Sequence, residues 1–381
     1  MDKHIIIIGS GFAAYQLVKS LRKLNAETPI TVITGDNGDD YSKPDLSHVF
    51  SKQQTANDLV KQTASEFASA NNILLINNTH VDAIDTENKT VHYDKQSIVY
   101  SDLVLATGSS AFVPSFAGNA TEDIVTLNSL AEYQSQQDKL ARAKSVLVLG
   151  AGLIGTEIAM DLASSGKQVT LCDKAPNLMP TLLPPFISSS LYQTMAQKGV
   201  NIQLDNTVAS INRHHQQLVT SLADKQYIEA DVVIAAMGLT PNTQLAQQAN
   251  IAVNRGIVVD RMMQTSAPSV FALGDCAELD GKVRAFIQPA MLCAMTLAKT
   301  LLGTPSPVHL PASLVKAKTP WLPLHLSGNT TDENASWEVT NEPNGLIAKA
   351  YDKETANLIG FIVSHNQLKA AFPLLRLLPA E

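Results

Sequence analysis

Two uninterrupted apolar runs set the frame of this chain, "IIIIG" at Ile5–Gly9 and "VLVLG" at Val146–Gly150. Each is too short for a helix and lacks polar alternation, so each reads as a parallel strand buried on both faces. Behind each run the apolar positions shift to helical spacing, in "FAAYQLVKSLRKL" and "LIGTEIAMDLASS". Each then returns to strand character in "ITVIT" and "QVTLCD". Shorter strands follow the first unit in "NILLIN", "THVDAID", "KTVHYD" and "SIVYSDLVLATG", after a polar segment, "GDNGDDYSKPDLS", and a helix through Phe67. The second unit continues with a helix near residues 186–198, then "VNIQL" and "DVVIAAMG". "IVVDRMMQTSAPSVFALGDCAE" adds a strand ending in Gly-Asp, with a helix from about Pro289 to Leu302. Beyond Pro305 the period changes to two. "WEVT", "GLIAKAYD" and "NLIGFIVS" predict antiparallel strands, with "DKETAN" as the last turn and "NQLKAAFPLLRLL" as a closing helix.

The predicted fold is α/β, with two doubly wound, Rossmann-like nucleotide-binding domains and a small C-terminal α+β domain. The second nucleotide domain is inserted in the first. Expected boundaries are 1–108 with 238–304, then 109–237, then 305–381.

The glycines give these units their chemistry. Gly9-x-Gly11 and Gly150-x-Gly152-x-x-Gly155 stand 141 residues apart, each between a strand and a helix. The first glycine permits a tight turn and the second a close approach of phosphate. The third small residue lets helix pack on strand, and a pyrophosphate then meets the free amides of the helix N-terminus. "QVTLCD" ends in Asp173, 23 residues after Gly150, where a carboxylate accepts the ribose hydroxyls and repels a 2′-phosphate. That predicts NADH at the second cradle, although Lys174 lies alongside. The first strand pair ends at Thr34, with Asp36 as the nearest acid for the ribose.

Three further pieces predict a flavin at the first cradle. "LVLATG" places Ala106, Thr107 and Gly108 in a small-residue turn at a strand end. "VFALGDCAE" places Gly274 and Asp275 before a helix, suiting a polyol chain. "YSKPDLSH" puts Lys43 on a proline-fixed loop.

Composition narrows the classes. A chain of 381 residues with 45% hydrophobic residues holds more than one core, and a net charge of −7 argues against a nucleic-acid binder. No apolar stretch is long enough for a membrane span or signal segment, so the expected compartment is the cytoplasm. Cys172, Cys276 and Cys293 form no short-spaced pair, which predicts buried thiols rather than a redox couple or zinc site. His214-His215 in "NRHHQQ" reads as a solvated turn, and no metal is expected.

The order cradle, ATG, cradle, Gly-Asp resembles the FAD-dependent pyridine nucleotide oxidoreductases over essentially the whole chain, and within them the rubredoxin reductases. "IIIIGSGFAAYQLVKSLRK", "YSKPDLSHVFSKQQ", "TLNSL", "LGAGLIGTEIAMDLASSGK", "NRGIVVD" and "VKAKTPWLPLHL" carry the likeness. It implies FAD contacts at Gly9, Ser10, Gly11, Ala13, Lys43, Val81, Ala106–Gly108, Glu157, Asp275 and Lys318. Ferredoxin-type relatives read Pro-Pro-Leu-Ser-Lys where this chain has Pro44-Asp45-Leu46-Ser47-His48, so the lysine that would pair with Glu157 is missing. Lys43 is the expected substitute.

NADH delivers a hydride to flavin N5 only from a stacked nicotinamide, so the two cradles must serve one ring. Glu157 is expected near that nicotinamide; its plainer reading is a first-turn acid favoured by the helix dipole. Lys318 or Lys316 would place positive charge near flavin N1 and O2. With no cysteine pair, electrons leave to an external acceptor, which the resemblance makes a rubredoxin iron, in a flavorubredoxin or free. Lys43, Lys52, Lys316 and Lys318 are the expected basic patch for it. An NADH oxidase using oxygen and a non-catalytic NADH sensor are the alternatives.

Overall fold

A computed structural model describes residues 3–380, which divide into two units. The first comprises the chain up to Lys43, Leu59–Ser110 and Leu239–Leu310. Its centre is a five-stranded, all-parallel sheet in the order Val270–Ala272, Asp102–Leu105, Ile5–Ile8, Ile30–Ile33, Leu74–Ile76. The isoleucine run occupies the middle strand and is buried at all four positions, as an uninterrupted apolar strand must be. The helix Phe12–Leu24 buries Tyr15, Leu17, Val18 and Leu21 on one face, and the Tyr15 ring stacks on Phe67 at 3.8 Å.

The second unit comprises Pro44–Asp58, Ala111–Gly238 and the chain from Pro311 onward. It repeats the parallel plan with four strands in the order Asn201–Gln203, Gln168–Cys172, Ser145–Leu149, Val232–Ala235. The same unit contains the tail as a five-stranded antiparallel sheet, ordered Val315–Ala317, Leu324–Gly328, Leu358–Ser364, Gly345–Asp352, Ala335–Glu342. Its inner face closes over Phe361, Val363, Ala371 and Leu374.

Several local readings change. The helix expected through Phe67 begins only at Ala64, where Thr63 and Glu66 form a capping box. The polar segment before it runs into a short 3-10 turn at Lys43–His48, and a second such turn, Asn57–Leu59, follows before the helix. "SIVYSDLVL" is two strands, Gln96–Val99 and Asp102–Leu105, in different sheets. The closing helix is a 3-10 segment, His365–Ala370, followed by Ala371–Leu375, and Pro373 fits because it lies in the first helical turn. The periodicity missed the two short strands that open the tail sheet, and also the meander Val208–His214, Gln217–Leu222, Tyr227–Ala230.

Candidate nucleotide and electron-transfer site

The first cradle lies where three neighbouring parallel strands end. Gly9 has φ +113°, and a Cβ there would stand 2.2 Å from the Ala106 carbonyl oxygen, so only glycine fits. Gly11 caps the helix Phe12–Leu24, which has no side-chain cap and no acid in its first turn. Its leading amides are thus available to an anion. Ser10 Oγ and Thr34 Oγ1 are 2.9 Å apart, so a neutral hydroxyl pair stands where an acid was expected. Asp36 turns onto the neighbouring backbone, its Oδ1 accepting the Asn37 amide at 2.8 Å. Val81 opens the strand Val81–Asp85 and is half-buried.

The turn Ala106–Gly108 is held by a residue that sequence reading missed. Thr107 Oγ1 donates to the Asn242 carbonyl at 2.7 Å, Asn242 Nδ2 donates to the Thr107 carbonyl at 2.8 Å, and the Asn242 amide donates to the Gly108 carbonyl at 3.0 Å. The only local signal was a turn-forming "TPN" 134 residues away. Asp275 sits in the 3-10 turn Gly274–Cys276, accepts from Ser109 Oγ at 3.0 Å and faces Lys43 Nζ at 3.8 Å. A Cβ on Gly274 would come within 2.8 Å of Ala13 Cβ, which fixes how closely that turn meets the first helix. The predicted set Gly9, Ser10, Gly11, Ala13, Ala106–Gly108, Lys43, Gly274 and Asp275 therefore belongs to one unit, around adjoining strand ends. Ligands bind at such ends in open α/β sheets.

The second cradle repeats this geometry more strictly. Gly150 has φ +103°, and a Cβ there would lie 2.3 Å from the Ala236 carbonyl oxygen. Gly152 caps the helix Leu153–Ser164 with φ −71°, the value Gly11 has, again without a side-chain cap. A Cβ on Gly155 would reach 1.8 Å from the Gly150 carbonyl oxygen, so even alanine is excluded. Asp173 stands at the adjoining strand end, as predicted. Its Oδ2 accepts the Ala151 amide at 2.5 Å and its Oδ1 the Ala175 amide at 2.8 Å. Lys174 is exposed.

The structure removes the first-turn reading of Glu157. It occupies the fifth position of its helix, is 4% exposed, and accepts bonds from two other segments. Ser47 Oγ donates to its Oε2 at 2.8 Å and the Lys318 amide to its Oε1 at 2.7 Å. His48 Nε2 is 3.6 Å from Oε2. One turn further, Asp161 accepts the Phe50 amide at 2.7 Å, the Ser51 amide at 3.2 Å and the Ser51 hydroxyl. Two buried carboxylates thus fasten the loop Ser47–Ser51 to this helix.

Lys43 faces Asp275, and Lys318 Nζ bonds the Pro44 carbonyl at 2.9 Å and Asp45 Oδ1 at 3.1 Å. Lys52 and Lys316 are exposed, and Lys316 lies 5.9 Å from the Phe372 ring centre. All three cysteines are free and buried, and burial pushes Cys172 and Cys293 up to about 11 and raises Cys276 as well. His215 sits in the tight turn of the meander with φ +53°, the solvated turn expected. Among the described residues no cluster of side chains is arranged to hold a metal ion, and no helix is long and apolar enough to cross a membrane.

Comparison with known proteins agrees with this geometry. Residues 3–296 match the family model for pyridine nucleotide-disulphide oxidoreductases, and residues 307–378 match a rubredoxin binding C-terminal domain. The chain is 48% identical over 378 residues to the nitric oxide reductase FlRd-NAD(+) reductase of Aliivibrio fischeri, covering 99% of this chain and 98% of that protein. It is 46% identical over 379 residues to the protein of that name from Escherichia coli O157:H7, covering 100% of each. Among solved structures it is similar to a ferredoxin reductase from Rhodopseudomonas palustris, with TM-score 0.89, 25% identity, and 97% and 93% of the two chains covered. It is also similar in fold to the NADH:rubredoxin oxidoreductase of Clostridium acetobutylicum, with TM-score 0.80, 20% identity, and 99% and 94% covered.

Proposed function

The chain belongs to the pyridine nucleotide-disulphide oxidoreductases and, by its full-length relatives, to the FlRd-NAD(+) reductases, and on that premise we propose how its residues divide the work. It is an FAD-dependent NADH:rubredoxin-type reductase, and its acceptor is the rubredoxin domain of a flavorubredoxin nitric oxide reductase, in anaerobic nitric oxide detoxification. The observation that carries this is the pair of glycine cradles followed by a rubredoxin-binding tail in one chain. We assign residues 1–108 with 238–304 to FAD, 109–237 to NADH and 305–381 to the partner, and place the protein in the cytoplasm, where NADH is supplied.

Bound FAD would supply the step that no side chain can, accepting a hydride and releasing electrons singly to iron. The chain's own groups do the holding. The uncapped helix after Gly11 offers amides to one pyrophosphate, and that after Gly152 to the other. Asp275 is placed to accept from a ribityl hydroxyl while Lys43 balances its charge, and Asn242 keeps the Thr107–Gly108 backbone in place. Asp173 releases the Ala151 amide to the incoming diphosphate and takes the ribose hydroxyls. The buried thiols take no part.

Stopped-flow spectroscopy tests the whole reading. NADH should bleach the flavin absorbance, and a rubredoxin domain should restore it faster than oxygen or a ferredoxin. Restoration by oxygen alone at the same rate would make the protein an oxidase.

A further inference from the structure

In the loop fastened to the helix Leu153–Ser164, one buried polar atom lacks a bond. His48 Nε2 has no hydrogen-bond partner, and buried Glu157 Oε2 stands 3.6 Å away. The two donors already on Glu157, the Ser47 hydroxyl and the Lys318 amide, are neutral. The imidazole therefore sets beside this carboxylate a ring that can be either neutral or cationic. The other charged groups here are engaged elsewhere: Lys318 Nζ with Pro44 and Asp45, and Asp161 with Phe50 and Ser51. Lys43, which precedes the loop, faces Asp275.

We propose that His48 is the positioning residue for Glu157, and that the pair makes the hold on oxidised nicotinamide depend on pH. This rests on the reading that the second cradle takes NADH with Glu157 towards the nicotinamide. With the imidazole neutral the pair carries one negative charge, which attracts the cationic ring of NAD+ and leaves the neutral ring of NADH unaffected. With the imidazole protonated, Nε2–H donates to Oε2, the pair is neutral, and that attraction is lost. Product is held on the alkaline side and shed on the acid side.

The test is calorimetric titration of NAD+ into the oxidised, FAD-loaded protein from about pH 6 to about pH 8.5. Wild type should bind NAD+ at least roughly fivefold more weakly at the acid end, the scale of one unit charge about 4 Å away in fully wet surroundings. His48→Gln should bind tightly across the range, His48→Lys weakly across the range, and Glu157→Gln weakly with no slope. A wild-type slope retained in His48→Gln overturns the proposal. If His48→Gln loses FAD or melts early, His48→Lys decides, because a fixed charge must flatten the slope. Asp173→Ala separates the two levels. If it leaves NAD+ affinity unchanged, the cradle reading falls and this inference with it. If it weakens binding while the slope ignores His48, this inference alone falls.

Discussion

The two glycine cradles share a backbone and differ in what stands at the neighbouring strand end. Gly9 and Gly150 have φ of +113° and +103°, each against a carbonyl of the next strand, and Gly11 and Gly152 cap their helices alike. The first adjoins Thr34, bonded to Ser10; the second adjoins Asp173, bonded to Ala151. On the proposed assignment, the shared part answers to diphosphate, which both coenzymes carry. The differing part answers to what distinguishes them. An acid that closes on its own cradle must open for a coenzyme that comes and goes. A hydroxyl pair suits one that stays, because it keeps no charge in the way.

The largest effect should come from exchanging the crowded glycines. Gly9→Ala forces a Cβ onto the Ala106 carbonyl and should yield protein without FAD, read from its absorbance spectrum. Gly155→Ala forces a Cβ onto the Gly150 carbonyl. It should keep FAD and still bleach with dithionite, while kcat/KM for NADH falls at least about 100-fold, the scale of a substrate misplaced by an ångström. Loss of FAD from Gly155→Ala, with Gly9→Ala intact, would reverse the assignment of the cradles.

Asp275→Ala sharpens the first half of the comparison. A ribityl hydroxyl losing its acceptor costs roughly 1–3 kcal/mol. FAD affinity should fall by the matching factor, measured as apoprotein reconstitution. Unchanged affinity would leave Asp275 as no more than the partner of Ser109 and Lys43. Asp173→Ala sharpens the second half, and the ratio of kcat/KM for NADH over NADPH should drop roughly tenfold, as one lost charge near a phosphate implies. A ratio that stays put would pass the selectivity to exposed Lys174.

What the sequence made legible was whatever depends on neighbours along the chain. Both cradles, the Asp173 strand end, the Ala106–Gly108 turn and the tail hairpins follow from local period and glycine placement. Asn242 was not legible, because its bonds to Thr107 and Gly108 join residues 135 and 134 positions apart. Nor were the partners of Glu157, which come from Ser47, His48 and the Lys318 amide. A backbone donor such as Lys318 N–H leaves no residue-type signal. The meander around His214 was missed because its polar strands, half exposed, carry little apolar alternation.

The smallest expected effect concerns groups that neither cradle uses. Cys172 ends the strand before Asp173 and Cys276 follows Asp275, so each thiol neighbours in sequence an acid proposed to hold a coenzyme. If either were a redox relay, its loss would leave flavin reduction by NADH intact and stop reduction of rubredoxin. Burial argues otherwise. All three thiols are raised above their ordinary range, so hardly any thiolate exists at neutral pH to attack or be attacked. A thiol reagent such as DTNB should therefore titrate none of them in the native protein at about pH 8, and all three once the chain is unfolded. The triple change to Ala or Ser should hold both electron-transfer rates within about twofold and lower Tm by a few degrees, since deleting small buried groups costs packing. Native reactivity at one thiol, together with loss of rubredoxin reduction in the triple variant, would place that thiol on the electron path and end the contrast between two holding cradles and a bystander core.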